Sequence, residues 1–373
     1  MEERIDKKMR YSWIKNFGPQ WFSAVMGTGA LSISMNIASD YYSPFSYISQ
    51  FFLLFSIIMF LVFIVPWTSR FITNYNDVKK DLFHPVLGNF FPTMPISLVI
   101  IGIALDRVGP SIIDISVVNT ISLYLFIIGS IGIFIFGWMI LSIIFTHKKI
   151  KLEHANYGWF IPPVSHLIIP VLGFSLMKHY TDALVDNILF FISMIGFSVG
   201  LLLFIFVGSI VYHRYIFHEL PPSHLAPTFL IGIAPTSIIT IILVKILGAL
   251  SGFSILGIDS SSISAEIKLL SVMTWGFSLW WFAFFLILFA YYVKNKNHPF
   301  VFGWWAYTFP LGAFVISNGA IGNIINVSFF SYIIQFGNIL LLLVWCIVFY
   351  LTLKQTLNGE AFKGHVEEEQ NKM

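Results

Sequence analysis

Apolar runs of about 20 residues recur along the chain, at about 18–38, 48–69, 86–106, 119–146, 160–177, 187–212, 225–249, 269–293, 304–322 and 332–353. A bilayer core about 30 Å thick takes roughly 20 residues of helix, so the pattern predicts ten membrane-spanning helices. The runs alternate in kind. The first, third, fifth, seventh and ninth contain Phe17-Gly18-Pro19-Gln20, Phe91-Pro92-Thr93-Met94-Pro95, Pro162-Pro163 with Pro170, Pro221-Pro222 with Pro227 and Pro235, and Thr308-Phe309-Pro310-Leu311-Gly312. The even-numbered runs read as free of proline in their interiors. In hydrocarbon a freed backbone carbonyl must find a partner, so broken helices are tolerated only inside protein or beside a water-filled cavity. Five interrupted helices beside five smooth ones therefore predict a conduit lined by the interrupted set. Pro95, Pro170, Pro235, Pro310 and Gly312 become candidate pore-lining positions.

Short connections, such as His213 to Leu220 and Lys294 to Gly303, pair each interrupted helix with the smooth helix after it. The chain reads as five helical hairpins within one transport domain, 17–354, between a polar segment, 1–16, and a polar tail, 355–373. Pro162-Pro163-Val164-Ser165-His166 echoes Pro221-Pro222-Ser223-His224, and Phe91-Pro92-Thr93 echoes Ala226-Pro227-Thr228-Phe229. Internal repeats of this kind are expected of transport folds.

Cations set the direction. Arg4, Lys7, Lys8, Arg10 and Lys15 precede the first run. Arg70, Lys79, Lys80, Lys148, Lys149, Lys151, Arg214, Lys294 and Lys296 occupy alternate connections on the same side, and Lys354, Lys363 and Lys372 lie in the tail. Opposite connections hold Arg107, Lys178 and Lys268. The positive-inside rule then predicts a multi-pass cell-membrane protein with both termini cytoplasmic. The first ten residues are too charged for a signal peptide and lack a cleavage site, so the first span is expected to be retained.

Composition agrees: 57% of the 373 residues are hydrophobic and 10% charged, with mean hydropathy +0.83. A soluble domain carries about 25% charged residues. The 40 Phe, 15 Tyr and 11 Trp suit a lipid-facing surface with aromatic belts. A net charge of +3 scattered over loops gives no basis for nucleic-acid binding. Cys346, the one cysteine, excludes an intrachain disulfide and is expected to pack in the core.

Several positions bear on a conduit. Gly27-Thr28-Gly29 in the first helix either widens a pore or lets helices approach closely. Asn89, Thr93 and Ser97 lie four apart on one face, where they could solvate a solute or satisfy broken backbone. Phe309 stands beside a bend that can turn its ring toward an axis. Lys245 is the one cation inside an apolar run; it either snorkels to the interface or sits in an outer vestibule that concentrates anions. His166 lies within a span and His224 near an entrance, whereas His147, His154, His213, His218 and His298 fall at helix ends. Haem ligation needs facing pairs of buried histidines, which these positions do not assemble, so no cofactor, metal or catalytic role is expected.

Together, Gln20-Trp21-Phe22 with Met26-Gly27-Thr28-Gly29, the stretch His84-Pro85 to Pro92, Pro221-Pro222 to Pro227-Thr228, and Trp305 to Leu311 resemble the tellurite-resistance/dicarboxylate transporter family. That family includes bacterial tellurite-resistance proteins, fungal malate permeases and sulfite pumps, and plant slow-type anion channels. The similarity runs from about residue 16 to 355. It implies a quasi-fivefold ring of hairpins in an all-α membrane protein, with odd helices lining a pore in each subunit of a homotrimer. It further implies that Phe309 plugs the pore and that Gly27 and Gly29 face it. The stretch from His84 to Ser97 looks closer to the malate and sulfite branch. The function implied is transport of small anions (malate or other C4-dicarboxylates, sulfite, or inorganic anions) by a channel-like route. The alternative is a proton-coupled carrier in which His166 or His84 titrates.

Overall fold

A computed structural model gives the fold of residues 13–146, 150–180, 182–250, 261–296, 298–325, 327 and 329–362. Arg4, Lys7, Lys8, Arg10, His147, Lys148, Lys149, Lys363 and Lys372 lie outside the described residues. Ten long helices follow one another: α1 Phe22–Ser39, α2 Phe45–Thr73, α3 Thr93–Val108, α4 Ile115–Thr146, α5 Ile161–Leu176, α6 Ala183–Phe217, α7 Ala234–Leu250, α8 Ser264–Asn295, α9 Phe309–Ile325 and α10 Phe329–Leu357. Among the described residues, nine helical stretches are long and apolar enough to cross a membrane, namely α2 to α10 with their leading turns. α1 falls just outside that set, because Gly27, Thr28, Gly29, Ser32, Ser34 and Asn36 dilute its apolar content.

The helices form two layers. α1 packs on α3, α3 on α5, α5 on α7, α7 on α9, and α9 on α1, a closed circuit. Each even helix packs on the odd helix before it and also touches the next one, with α10 returning to α1. Burial separates the layers: 67–94% of the apolar stretches containing α3, α5, α7 and α9 is buried, against 17–28% for the even helices.

The inner helices are short, 16–18 residues against 29–35 for the outer ones. At 1.5 Å per residue they rise roughly 24–27 Å, less than a bilayer core. A 3-10 segment leads into each and makes up the difference: Pro19–Trp21, Leu87–Phe90, Tyr157–Phe160, Ser223–Ile233 and Phe302–Tyr307. This changes the meaning of the prolines. Pro92, Pro162, Pro163, Pro235 and Pro310 stand at or beside the first turn of an α-helix, where the missing N–H has no intrahelical acceptor anyway. They start helices rather than interrupt them. Among the inner helices only α5 carries a proline deep in its interior, Pro170. The smooth set is not free of proline either: α2 runs on to Thr73 and so encloses Pro66.

Hydroxyls repeat at the same junctions. Thr93 donates to the Phe90 carbonyl, Ser165 to Pro162, Thr228 to Leu225 and Thr308 to Trp305, all at 2.6–2.8 Å. Each takes up a carbonyl three residues back, close to the handover from 3-10 turn to α-helix for Thr93, Ser165 and Thr308 and within the 3-10 segment for Thr228.

Rings and a buried ion pair close the circuit at the lead-in end. Trp21 lies against Phe17, Phe302 and Phe362, with centroids 4.5–5.4 Å apart, and so joins the first lead-in to the last. Such pairs contribute about 0.5–1.5 kcal/mol each beyond burial. Arg70, at the end of α2, donates to Asp81 of the short helix Tyr75–Leu82 at 2.6 Å and to the Phe17 carbonyl at 3.2 Å. Cys346 does not pack in the core: it is exposed on the outer face of α10, since the face of α10 turned inward carries Leu341, Trp345 and Val348.

Gly200 shows how closely the layers meet. A Cβ there would lie 2.7 Å from Leu167 Cγ, 2.8 Å from the Leu167 nitrogen and 2.9 Å from the Pro163 carbonyl oxygen. Backbone cannot yield as a side chain can. Gly200→Ala is expected to lower stability by about 1–3 kcal/mol. Gly276→Ala on α8 meets open space and should be neutral or stabilising. Thermal unfolding of both variants in detergent measures the contrast.

Candidate functional site

The five inner helices enclose a cavity of about 290 Å³ to which every one of them contributes. Away from the ends of the helices its wall is aliphatic: Ala30, Ile33 and Ile37 from α1, Ile100 and Ile103 from α3, Ile168 and Val171 from α5, Ile238 and Ile241 from α7, and Ala313 and Ile316 from α9. From Ala30 to Ile37 the wall rises roughly 10 Å along α1. Phe309, the first residue of α9, lies in the wall where that helix begins.

Polar residues gather where the inner helices end. Asp106 and Arg107 close α3, Ser175 is in the last turn of α5 with Lys178 and His179 just beyond, and Lys245 is near the end of α7. They form a connected set. Ser175 Oγ donates to Asp106 Oδ2 at 2.6 Å and accepts from Lys245 Nζ at 2.9 Å. His179 Nε2 lies 2.8 Å from Asp106 Oδ1. The Ser175 hydroxyl thus relays between a cation and a carboxylate that do not touch. Three cations (Arg107, Lys178, Lys245) meet Asp106, and Asp40 just after α1 also acts on Arg107, so the mouth keeps a small positive balance with His179 neutral. A cleft of one sign with low-dielectric walls concentrates counter-ions.

The cavity wall contains Phe309 and Lys245 of the residues singled out from sequence, and the other candidates lie in contacts between helices. A Cβ on Gly27 would collide with Thr308 Oγ1, one on Gly29 would be 2.6 Å from Ile100 Cγ2, and one on Gly312 would be 2.8 Å from Ala30 Cβ. These glycines let α1, α3 and α9 approach one another, and their partners Ile100 and Ala30 form the wall instead. Thr28 turns to the outer layer: its hydroxyl donates to the Ala24 carbonyl at 2.7 Å and accepts from Trp345 Nε1 at 2.9 Å. Thr93 shares its one hydroxyl hydrogen between the Phe90 and Pro19 carbonyls, both at 2.7 Å, and Ser97 shares its own between the Thr93 carbonyl at 2.8 Å and the Phe22 carbonyl at 3.1 Å, so the polar face of α3 meets the backbone of the first lead-in and α1. Asn89 Nδ2 donates to the Pro85 carbonyl at 2.9 Å. Pro95 abuts α4, since a Cβ on Gly132 would be 2.8 Å from its ring. Pro170 leaves the His166 carbonyl without its helical donor, and that oxygen faces Gly196 of α6. Pro235 and Pro310 are buried in the first turns of α7 and α9.

His166 is also outside the cavity. It lies between α5 and α4, with Nδ1 2.8 Å from the Pro162 carbonyl oxygen and its ring edge-on to Phe134. Asp106, Ser175 and His179 were not anticipated. The available signal was an aspartate at the end of an apolar run, matched by a hydroxyl and a histidine at the end of the next inner helix.

The model of the family SLAC1, voltage-dependent anion channel, matches residues 16–353. This chain belongs to that family. Among members of similar sequence is an uncharacterized transporter of Methanocaldococcus jannaschii, 34% identical and covering 94% of this chain and 97% of the relative. A sulfite efflux pump of Trichophyton rubrum is 26% identical over 97% of this chain and 96% of its own length. A malic acid transport protein of Schizosaccharomyces pombe is 22% identical over 95% and 82%. This voltage-dependent anion channel family member is thus an all-helical, multi-span membrane protein of anion transport.

The charged mouth makes a test available. Lys245→Met removes one cation without shortening the side chain much. Anion flux into proteoliposomes is expected to fall several-fold at low ionic strength and much less at high salt, where the Debye length shrinks to about 3 Å at 1 M.

Proposed function

We propose that the protein passes small anions along the axis of the five inner helices by a channel-like route, with the Phe309 ring as its gate. One observation carries this reading: a single cavity is bounded by all five inner helices, with Phe309 in its wall at the helix starts and a cationic mouth at the helix ends. The aliphatic wall offers no fixed counter-charge, so an ion attracted to the mouth is held weakly within. Conduction requires binding that is favourable enough to enter and weak enough to leave. The substrate class is a small anion such as sulfite, malate or another C4-dicarboxylate, or an inorganic anion. Relatives named as a sulfite efflux pump and a malic acid transport protein support that class.

In this reading α1 is a tenth crossing, shielded from lipid by α2 and α10, and both termini are cytoplasmic. The lead-in end, with Arg70, Lys79, Lys80 and Arg214, faces the cytoplasm under the positive-inside rule, and the Asp106–Lys245 mouth faces outward. Three copies assemble with one path each, as the resemblance implies, and the exposed apolar faces of the outer helices offer the surface. Gly27, Gly29 and Gly312 shape the path indirectly, by setting how closely α1, α3 and α9 approach around Phe309.

A second reading, proton-coupled carriage of malate or sulfite, draws on the contact between His179 and Asp106 at the mouth. An imidazole and a carboxylate in contact can exchange a proton with the entering anion.

Phe309→Ala is expected to raise anion flux in proteoliposomes at least about tenfold, the effect of lowering a barrier by roughly 1.4 kcal/mol. Unchanged flux would remove the gate. A panel of chloride, nitrate, sulfite, malate and succinate, run with and without a pH gradient, separates the two readings. Saturable flux that carries protons selects the carrier, and ohmic current without proton movement selects the channel.

A further inference from the structure

Two arginines are buried in the last turns of outer helices, Arg70 on α2 and Arg214 on α6, 3% and 7% exposed. Arg70 is neutralised by Asp81 at 2.6 Å and also donates to the Phe17 carbonyl. Arg214 has no such counterpart. Its Nε and Nη1 are enclosed and lack a hydrogen-bond partner among the described residues, and it forms no ion pair among them. Its guanidinium lies over the Tyr215 ring, 4.7 Å from the centroid. The Tyr215 hydroxyl is itself enclosed, lies toward the Tyr157 backbone N–H, and donates to no acceptor among the described residues. Two neighbouring residues thus present unused donors in one place.

A guanidinium cannot shed its proton in a protein, so a buried arginine cannot become neutral to escape desolvation. The π-face of Tyr215 offsets part of that cost but accepts no in-plane hydrogen bond. With no acceptor among the described residues, an anion with several acceptor oxygens would complete the site. A phosphate group fits: it takes charge-assisted bonds from the planar guanidinium and one more from a hydroxyl. The setting is fixed around it. Tyr215 stacks on Tyr157 with centroids 5.0 Å apart, and Tyr292 donates to the Pro221 carbonyl at 2.7 Å, pinning the connection that follows α6. Ile216, Phe217 and Leu220 beside it are exposed and apolar, as the acyl chains of a lipid require.

We infer that Arg214 and Tyr215 form a phosphate-binding site at the lead-in end of α6, separate from the central cavity and occupied by the headgroup of an anionic phospholipid. Arg214 there stands to the lipid phosphate as Arg70 stands to Asp81. The same oxygens are offered by free phosphate, so the test carries both.

The full chain, delipidated in detergent, is melted alone and with phosphatidylglycerol, phosphatidylcholine or inorganic phosphate. Phosphatidylglycerol is expected to raise the melting temperature of the wild type, and phosphatidylcholine to do so much less. Arg214→Gln should weaken the phosphatidylglycerol response at least about tenfold in the concentration required, the loss of about one charge-assisted hydrogen bond. Tyr215→Phe should weaken it too, yet leave the lipid-free melting temperature close to that of the wild type, since the hydroxyl donates to no acceptor among the described residues. If inorganic phosphate gives the same shift with the same dependence on Arg214, the site stands and its occupant is a soluble anion. An equal lipid response in wild type and both variants, or none in the wild type, overturns the proposal. Should Arg214→Gln fail to fold, Arg214→Lys with Tyr215→Phe carries the test: charge retained without the planar fork should still weaken the response, and an unchanged response overturns the site.

Discussion

Everything in this fold follows from one constraint: backbone polar groups in hydrocarbon must be satisfied by the protein itself. A 3-10 turn leaves carbonyls poorly matched, and a proline removes a donor. Neither survives facing lipid. The five lead-ins all lie on inner helices, walled in by neighbours and by the long outer helices. There the loose carbonyls find hydroxyls: Thr93, Ser165, Thr228 and Thr308 each reach three residues back, and Thr93 and Ser97 reach across to the backbone of the first lead-in and α1. The division into two layers is therefore a consequence of backbone chemistry as much as of side-chain packing. Helices that can satisfy themselves go outside, and those that cannot are enclosed.

Enclosure has a geometric result. Five short helices in a closed circuit leave an axis that aliphatic side chains fill only partly, hence the cavity. Its chemistry is set at the two ends. Where the helices begin, proline and threonine fix the backbone around Phe309. Where they end, six polar or charged side chains from three helices converge. The Asp106 carboxylate accepts from Ser175 and contacts His179, so it is largely occupied, whereas Arg107 and Lys178 form no ion pair among the described residues. In the proposed function an approaching ion meets a net cationic field that Asp106 and Asp40 moderate.

Helix parity and hairpin pairing were legible in the sequence because each rests on a local signal, proline placement and the length of the apolar runs and connections. The starts of α3, α7 and α9 were not, and each lies several residues later than its apolar run suggests. The reason is that a proline in a first turn and a proline in a break look alike in one dimension. The facing of residues was harder still. In a soluble helix the polar face marks the outside, but here the inner cavity and the outer lipid are both apolar, so periodicity carries no direction. That is why the sequence left Thr93, Ser97 and Gly27 open between a pore lining and helix contacts; in the structure they serve contacts, as Thr28 does, and Ile33, Ile100 and Ile238 form the wall. Asp106, Ser175, His179 and Lys245 come from three helix ends far apart in sequence, and only the closed circuit brings them together.

The position of Phe309 links these themes. It begins α9, so its ring is attached where the 3-10 segment hands over to the α-helix, with Thr308 bonded back to Trp305 before it and Pro310 after it. That backbone is held on both sides, leaving rotation about the side-chain bonds as the available freedom. Gly27 lets α1 close on Thr308, which fixes the start of α9 against its neighbour. A large flat side chain on a rigid stem, beside a cavity with room and no polar group to hold it, can change the width of a path without disturbing the fold. A hydrogen-bonded or charged residue at that place would have to break a bond to move, and an aliphatic one would be too small to block.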